Sequence, residues 1–594
     1  MKRFICAFAA FLLILVFLVP VSATAPQHAG IARVTSAVHA CVGADTPGAA
    51  LILFENGTRI LYEGYGYADI SARTLVTAQS SFELGELSSL FVALAVQKLA
   101  DAGALELDRD IAYYLSGDFM EKLDLAHPLT LNDLLLGRTG FADRYFDLRY
   151  TTPSLVFDTL EQALLADVPA QSDTAGNRYT YSRFGITLAA FVVESVSGTD
   201  YATYVNEQIL TPLGMTNTVL APHEQEADKM VAGHTVKGEG SFAVVKNAGR
   251  SYSALWPADG AISNIADLSL LLQFLLEDAV GERIRAPALE NGIFQLGAAG
   301  LAVNGSMRAM RASTGHFSAS LAIDLETASA ALVLCNTNTT ALLSAPYEYC
   351  GFLVGETGLN TSVVLSDLEN FEGEYILRSK MGGMLLSREV KNIRVRVDDD
   401  TGTLLFGDKA LVQIAPGIFA ETDTRNVAVL QFQTDVEGEV TGLITATGES
   451  YRTAKWYEKN FIVSALFAVL MVGAIYFLLG GALALGDALL SRARGERHPR
   501  AWRFTLPWVF GGMNGLGALL QVWVCARFGG ATIASFLAAC ATVSLLFVIA
   551  AVCGFVYALF TGFTVRHMTV RVARSAAIYL LFMLVCGYWG VIVL

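Results

Sequence analysis

Phe82-Glu83-Leu84-Gly85-Glu86-Leu87-Ser88-Ser89-Leu90-Phe91-Val92-Ala93-Leu94-Ala95-Val96 is the stretch on which the fold turns. From Leu87 to Ala102, apolar Leu90, Phe91, Leu94, Ala95 and Leu99 recur at helical spacing, which predicts a helix with one buried side. Upstream, Leu51-Ile52-Leu53-Phe54 and Ile60-Leu61-Tyr62 flank Asn56-Gly57, a pair that tolerates the left-handed backbone of a tight hairpin turn. Downstream, Leu131 to Leu136, Ile186 to Val196 and Ile265 to Leu276 repeat the helical pattern, and Ala319 to Leu334 reads as a closing strand pair. Strands at both ends with helices between predict an α+β domain, an antiparallel sheet plus a helical subdomain.

Several further blocks fall in order along the same region. Leu105-Glu106-Leu107-Asp108-Arg109-Asp110-Ile111 precedes Tyr114-Leu115, and Leu129-Thr130-Leu131-Asn132-Asp133-Leu134-Leu135 leads to Thr139-Gly140-Phe141. Asn177-Arg178-Tyr179-Thr180-Tyr181-Ser182 precedes Glu194-Ser195-Val196-Ser197-Gly198. Thr211-Pro212-Leu213-Gly214-Met215-Thr216-Asn217-Thr218 and Pro257-Ala258-Asp259-Gly260-Ala261-Ile262-Ser263 complete the set. Together they resemble the serine β-lactamase-related family: class C β-lactamases, penicillin-binding-protein-like D-alanyl-D-alanine peptidases and esterases. The resemblance runs from about Val34 to Asn338 and implies a bacterial protein with a β-lactamase/transpeptidase-like domain.

The resemblance also implies a chemistry, and here the chain departs from it. The family uses a Ser nucleophile and a Lys one helical turn later, with a Tyr to help activate the hydroxyl. In the register set by Phe82 and Gly85, the nucleophile position is Glu86 and the Lys position is Ser89. The second motif, Tyr-x-Asn in the family, reads Tyr181-Ser182-Arg183. The third should precede Phe317-Ser318, and Ser313-Thr314-Gly315 is its nearest match, without the basic residue. Only Tyr181 keeps its type. Shifting the register does not restore the pair, because Ser88 and Ser89 are followed three residues later by Phe91 and Val92, and Lys98 is far along the helix. The candidate cleft is therefore Glu86, Ser89, Tyr181, Arg183, Ser313, Thr314 and Gly315, with no confident catalytic residue. Glu86 at a helix start is favoured by the dipole, and Arg183 is expected to pair with it; the alternative leaves both side chains in water.

The rest of the chain sets the context. It has 594 residues, 53% hydrophobic and 16% charged, with a mean hydropathy of +0.47. Beyond Asn460 stand nine Arg, no Lys, Asp487 and Glu496, so of the net charge of -14 the preceding part carries -21. An acidic body excludes nucleic-acid binding. Residues 1–25 read as a signal peptide, Met1-Lys2-Arg3, an apolar run and an Ala-x-Ala end, with a retained anchor helix as the alternative. Residues 26–365 form the β-lactamase-related domain. Residues 366–457 form a small antiparallel β domain, read from Ile393-Arg394-Val395-Arg396-Val397 and the turn Asp398 to Gly402. Residues 458–594 hold four apolar runs, 461–490, 504–526, 531–560 and 575–594, each long enough to cross a bilayer. Arg-rich loops 491–503 and 564–574 place themselves in the cytoplasm and the large N-terminal region outside the plasma membrane. Gly511, Gly512 and Gly515 offer a small-residue face for helix packing.

No metal-ligand spacing is present and no cofactor is expected. Cys41, Cys335 and Cys350 remain outside the apolar runs; a Cys335–Cys350 disulfide and three free thiols both fit. The functional expectation is a catalytically inactive pseudoenzyme of the cell envelope whose cleft takes a cell-wall peptide, another ligand or a partner protein. The second reading is an active serine hydrolase, peptidase or esterase with a non-standard site at Ser88 or Ser89 with Tyr181. A third gives the work to the membrane helices, against which stands the scarcity of mid-membrane charge.

Overall fold

The computed structural model describes residues 27–141, 149–150, 156–166, 168–169, 171, 181–222, 229–238, 240–244, 252–277, 289–291, 294–296, 301–304, 306–351, 367–377, 392–398, 400–407, 409–421, 428–435, 437–445, 450–494, 501–527, 540, 543–554, 556–557 and 566–589. The expected leader over 1–25 and half of the run 531–560 lie outside them, as do Asn177 to Thr180.

Helix α1 (Gln27–Cys41) leads into the hairpin β1 (Gly48–Glu55) and β2 (Thr58–Asp69). Its turn is the expected one: Asn56 at φ 50° and Gly57 at φ 71° are both left-handed, and Glu55 pairs with Thr58. A two-residue strand β3 (Thr74–Leu75) flanks β2. The later strands β4 (Leu289–Asn291), β5 (Phe294–Leu296), β6 (Ala302–Asn304), β7 (Met307–Ser313), β8 (Ser318–Asp324) and β9 (Ser329–Cys335) return to the same sheet. Its order is β4-β5-β6-β7-β8-β9-β1-β2-β3, antiparallel throughout, so β1 is held between β2 and the last strand, β9.

Alternation along β1 and β9 separates two cores. Ala50, Ile52, Phe54, Leu332 and Leu334 face α2 (Ser89–Asp101), α3 (Arg183–Ser197) and α5 (Ile265–Glu277), the helices of the larger core. Leu51, Leu53, Ala331, Val333 and Cys335 face the other way, against Val34 and Val38 of α1 and the short α6 (Ala345–Tyr349). The helices expected around Leu90, Leu134, Ile186 and Leu268 are all present.

The β domain closes on itself. Eight strands, β10 (Gly373–Leu377), β11 (Ile393–Asp398), β12 (Thr403–Phe406), β13 (Lys409–Ala415), β14 (Ile418–Glu421), β15 (Ala428–Thr434), β16 (Val440–Thr445) and β17 (Ser450–Thr453), form a barrel sealed by β10 pairing with β17. Its interior is filled: Phe371, Phe419 and Phe432 meet edge to face or tilted, with centroids 4.6–5.4 Å apart, beside Tyr375 and Tyr451. Ala415, Ile418 and Ile444 of the barrel join the core under β1 and β9.

Beyond the barrel run α7 (Asn460–Ala493), α8 (Ala501–Arg527), α9 (543–554) and α10 (Arg566–Tyr588). Among the described residues one helix, α7, is long and apolar enough to cross a membrane. The small-residue face of α8 packs where expected. A Cβ on Gly515 would lie 2.3 Å from the Ala474 carbonyl oxygen, and one on Gly512 3.1 Å from the Gly481 Cα, so α7 and α8 touch backbone to backbone.

The cysteine question resolves by strand length. The Cys350 thiol reaches the carbonyl oxygens of Ala322 (3.4 Å) and Ser329 (3.9 Å), whereas Cys335 lies at the opposite end of β9. Six residue steps of strand run from Ser329 to Cys335, roughly 20 Å. Cys335, Cys350 and Cys41 are all free thiols.

Candidate functional site

The segment Leu84 to Ser89 is shaped by the edge of β7. Gly85 is left-handed at φ 56°, and a Cβ there would stand 3.2 Å from the Ser313 backbone nitrogen. Residues Gly85–Ser88 consequently form a 3-10 turn, and the α-helix starts at Ser89 instead of Leu87. This corrects the expected helix-dipole role of Glu86, which stands in that tight turn before the α-helix. Its carboxylate looks across the cleft. Oε2 accepts the Ser313 N–H at 2.9 Å, and Oε1 accepts from Arg183 Nη2 at 2.6 Å.

Arg183 is the first residue of α3, whose N-cap Ser182 accepts from the Gly185 N–H at 2.9 Å. The expected Glu86–Arg183 ion pair is thus present, in a largely covered setting where the two side chains are 16% and 21% exposed. Arg183 makes a second one. Its Nε lies 3.0 Å from Oδ2 of Asp259, whose side chain is fully buried in the short helix α4 (Trp256–Asp259). Sequence reasoning gives Asp259, inside the block Pro257 to Ser263, no role. The available signal was a lone acid inside the apolar run Leu255-Trp256-Pro257-Ala258-Asp259-Gly260-Ala261-Ile262, where a charge must find a partner. One guanidinium therefore binds two carboxylates. Burial works against the charge of Arg183, but Glu86 and Asp259 beside it raise its pKa further, so it stays protonated.

The hydroxyls are tied into backbone. Ser88 is buried, donates to the Gly85 carbonyl (2.7 Å) and accepts from the Ala261 N–H (3.0 Å). Ser89 donates to the Glu86 carbonyl at 2.7 Å and touches the Tyr181 phenol. Tyr181 donates to the Ala258 carbonyl at 3.2 Å. Burial, with Glu86 and Asp259 nearby, pushes its pKa well above the ordinary phenol value; Arg183 and Ser89 oppose this only in part. A phenol so held is a hydrogen-bond donor at neutral pH and no base. Lys98 is spent elsewhere, donating to the Gln208 carbonyl at 2.6 Å.

Of the third-motif residues, Ser313 ends β7 opposite Ser318 and reaches the cleft through its N–H. Thr314 is buried in the following turn, its N–H bonded to the Phe317 carbonyl (2.9 Å) and its hydroxyl accepting from the His316 N–H (3.4 Å). Gly315 is exposed at the tip of that turn, with nothing within 4 Å of a Cβ there. The structure thus brings together Glu86, Ser89, Tyr181, Arg183 and Ser313, adds Asp259, and leaves Thr314 and Gly315 on the adjoining turn. Among the described residues no group of three His, Cys, Asp or Glu could hold a metal ion.

A model of the β-lactamase family matches residues 34–347. The chain belongs to the β-lactamase family. Among curated proteins this family member is 24% identical to "Protein flp" of Staphylococcus aureus (strain MRSA252) over 193 residues, 32% of this chain and 38% of that protein. It is 26% identical over 266 residues to a "Putative D-alanyl-D-alanine carboxypeptidase" of Escherichia coli O157:H7, 40% of this chain and 61% of that one. The chain thus spans about two-fifths of the flp protein's length and three-fifths of the second. Among solved structures it resembles an octameric penicillin-binding protein homologue from Pyrococcus abyssi (TM-score 0.46, 18% identity, covering 71% of this chain and 100% of that one). A class C β-lactamase from Rhodobacter sphaeroides gives a TM-score of 0.44 at 19% identity, covering 54% of this chain and 98% of that one.

Proposed function

We propose that this β-lactamase-family chain is a non-hydrolysing, membrane-anchored protein of the bacterial cell envelope. Its cleft, formed by Glu86, Ser89, Tyr181, Arg183, Asp259 and Ser313 with the turn Thr314-Gly315 beside it, serves to bind a cell-wall peptide or a partner protein. The observation that carries this reading is Arg183 bridging Glu86 and Asp259. An acyl-transfer site needs a nucleophile with a base beside it; here the nucleophile position holds an acid whose two oxygens are committed to Arg183 Nη2 and the Ser313 N–H.

Anchoring rests on α7 and on the apolar runs that follow it. We read four spans, with the Arg-rich stretches 491–503 and 564–574, expected as loops but helical at 491–493, 501–503 and 566–574, in the cytoplasm and the acidic N-terminal region outside. The signal-like segment 1–25 supports the same side.

The test is acylation. Fluorescent penicillin is applied to the detergent-solubilised full chain, to a Ser88/Ser89 double alanine, and to the triple variant Glu86→Ser, Ser89→Lys, Arg183→Asn. The wild type is expected to stay unlabelled, and the triple variant to acquire covalent label. Label on the wild type that the double alanine abolishes would overturn the proposal in favour of an active serine hydrolase.

A further inference from the structure

Six residues, 454–459, separate the last barrel strand from the first residue of α7, and hydrogen bonds hold them fast. The Ala454 N–H donates to the Glu374 carbonyl (2.8 Å), and the Asn460 N–H to Glu374 Oε2 (2.6 Å). The Asn460 side-chain amide clasps the Asn392 backbone from both sides, Nδ2 donating to its carbonyl (3.2 Å) and Oδ1 accepting from its N–H (3.3 Å). Asn392 Nδ2 donates to the Glu458 carbonyl (2.7 Å), and Arg452 grips the Glu458 carboxylate with both Nη atoms at 2.7 Å. Three barrel strands, β10, β11 and β17, or residues beside them, are bonded to the start of the helix. The apolar helix therefore leaves the barrel without a flexible linker.

On this rigid collar the outward side chains are of one kind. Trp456 is 73% exposed and Phe461 79% exposed. Tyr457 meets Trp456 edge to face at 5.6 Å, and the Lys455 ammonium stands 5.9 Å from the Tyr457 ring centroid. Lys459 is exposed between them. Water is a poor solvent for such rings, whereas the boundary between headgroups and acyl chains takes the apolar body of Trp and Tyr together with their polar tips. Lysines beside them reach back to phosphate along their aliphatic stems.

The helix length agrees. Asp487 is the first charge met from the barrel side of α7. Counting ~20 residues back from it, the length of one hydrocarbon crossing, reaches the neighbourhood of Phe467. Residues 461–466, a further ~9 Å of apolar helix, are taken up by tilt of the helix, which leaves Phe461 at the boundary between acyl chains and headgroups and Trp456 and Tyr457 at headgroup level.

The geometry points to a lipid-interface collar, Lys455 to Phe461, that seats the barrel directly on phospholipid headgroups on its own side of the bilayer. This rests on the membrane reading of α7 and deepens it, since it makes the barrel a fixed pedestal with no tether. The experiment uses the full chain in phosphatidylcholine/phosphatidylglycerol vesicles, with lipids brominated near the headgroup or near the chain end. The contribution of Trp456 is the difference between wild type and Trp456→Phe, which keeps the apolar ring and the fold. The expected result is a blue-shifted Trp456 emission, quenched more by the shallow bromines than by the deep ones. A Trp456 emission typical of water and unquenched by either lipid, in chain that resists carbonate extraction, overturns the collar while leaving the membrane helix standing. Stronger quenching by the deep bromines overturns the headgroup placement. Release of the chain by carbonate overturns both readings.

Discussion

Removing the guanidinium of Arg183 should cost this fold more than any other single change in the cleft. In Arg183→Ala, Asp259 loses the cation 3.0 Å away while its side chain remains fully buried. Breaking a buried ion pair from one side costs about 3–5 kcal/mol, because the stranded charge keeps its desolvation penalty. Glu86 adds little to that figure: it is partly exposed and retains the Ser313 N–H. With unfolding entropy near 2.1 cal/mol/K per residue over a domain of roughly 310 residues, the loss corresponds to a fall of about 5–8 °C in Tm. Near-UV circular dichroism of the detergent-solubilised full chain follows the tertiary core directly. Adding Asp259→Asn to Arg183→Ala should recover part of the loss, because the stranded charge goes with it. Glu86→Gln alone should cost only about 1.5–3 kcal/mol, the value of one hydrogen bond to a charged group. The reasoning is refuted if Arg183→Ala melts within about 1 °C of wild type, or if Asp259→Asn deepens the loss in the Arg183→Ala background.

Two other measurements bear on the same domain. His234 is almost fully buried with no partner on Nδ1 among the described residues, and burial lowers its pKa, as it does that of His316 nearby. The unfolded chain then binds more protons than the native one between the depressed native values and about 6.5, so Tm should rise with pH across that window and level off above it. His234→Gln should flatten part of the rise, and a Tm that falls as pH climbs from 5 to 7 would contradict the assignment. Peptide mapping after alkylation in denaturant without reductant should find Cys335 and Cys350 unlinked to one another. Native alkylation of Cys335 should be slow, since burial pushes its thiol up to about 12; a Cys335–Cys350 peptide would contradict the strand geometry.

What the sequence makes legible follows from how local the cause is. The Asn56-Gly57 hairpin and the helices around Leu94 and Ile186 are set by turn chemistry and by spacing within a dozen residues, and they stand where spacing puts them. The Glu86–Arg183 pair was readable because a family register brings two positions 97 residues apart into one cleft, and opposite charges there have little choice. Asp259 was not, since nothing in Pro257-Ala258-Asp259-Gly260 says that its carboxylate meets the far side of the same guanidinium. The 3-10 turn at Gly85 was hidden for the same reason: its cause is the Ser313 backbone, more than 200 residues away. Barrel closure depends on β10 finding β17 across the whole domain, whereas alternation reveals only individual strands such as β11. The candidate site lies on these long-range contacts. Departures from the family motif announce themselves in sequence at Glu86 and Ser89, but that Glu86 belongs to a charged lock through Arg183 depends on Asp259, which joins them only in the folded chain.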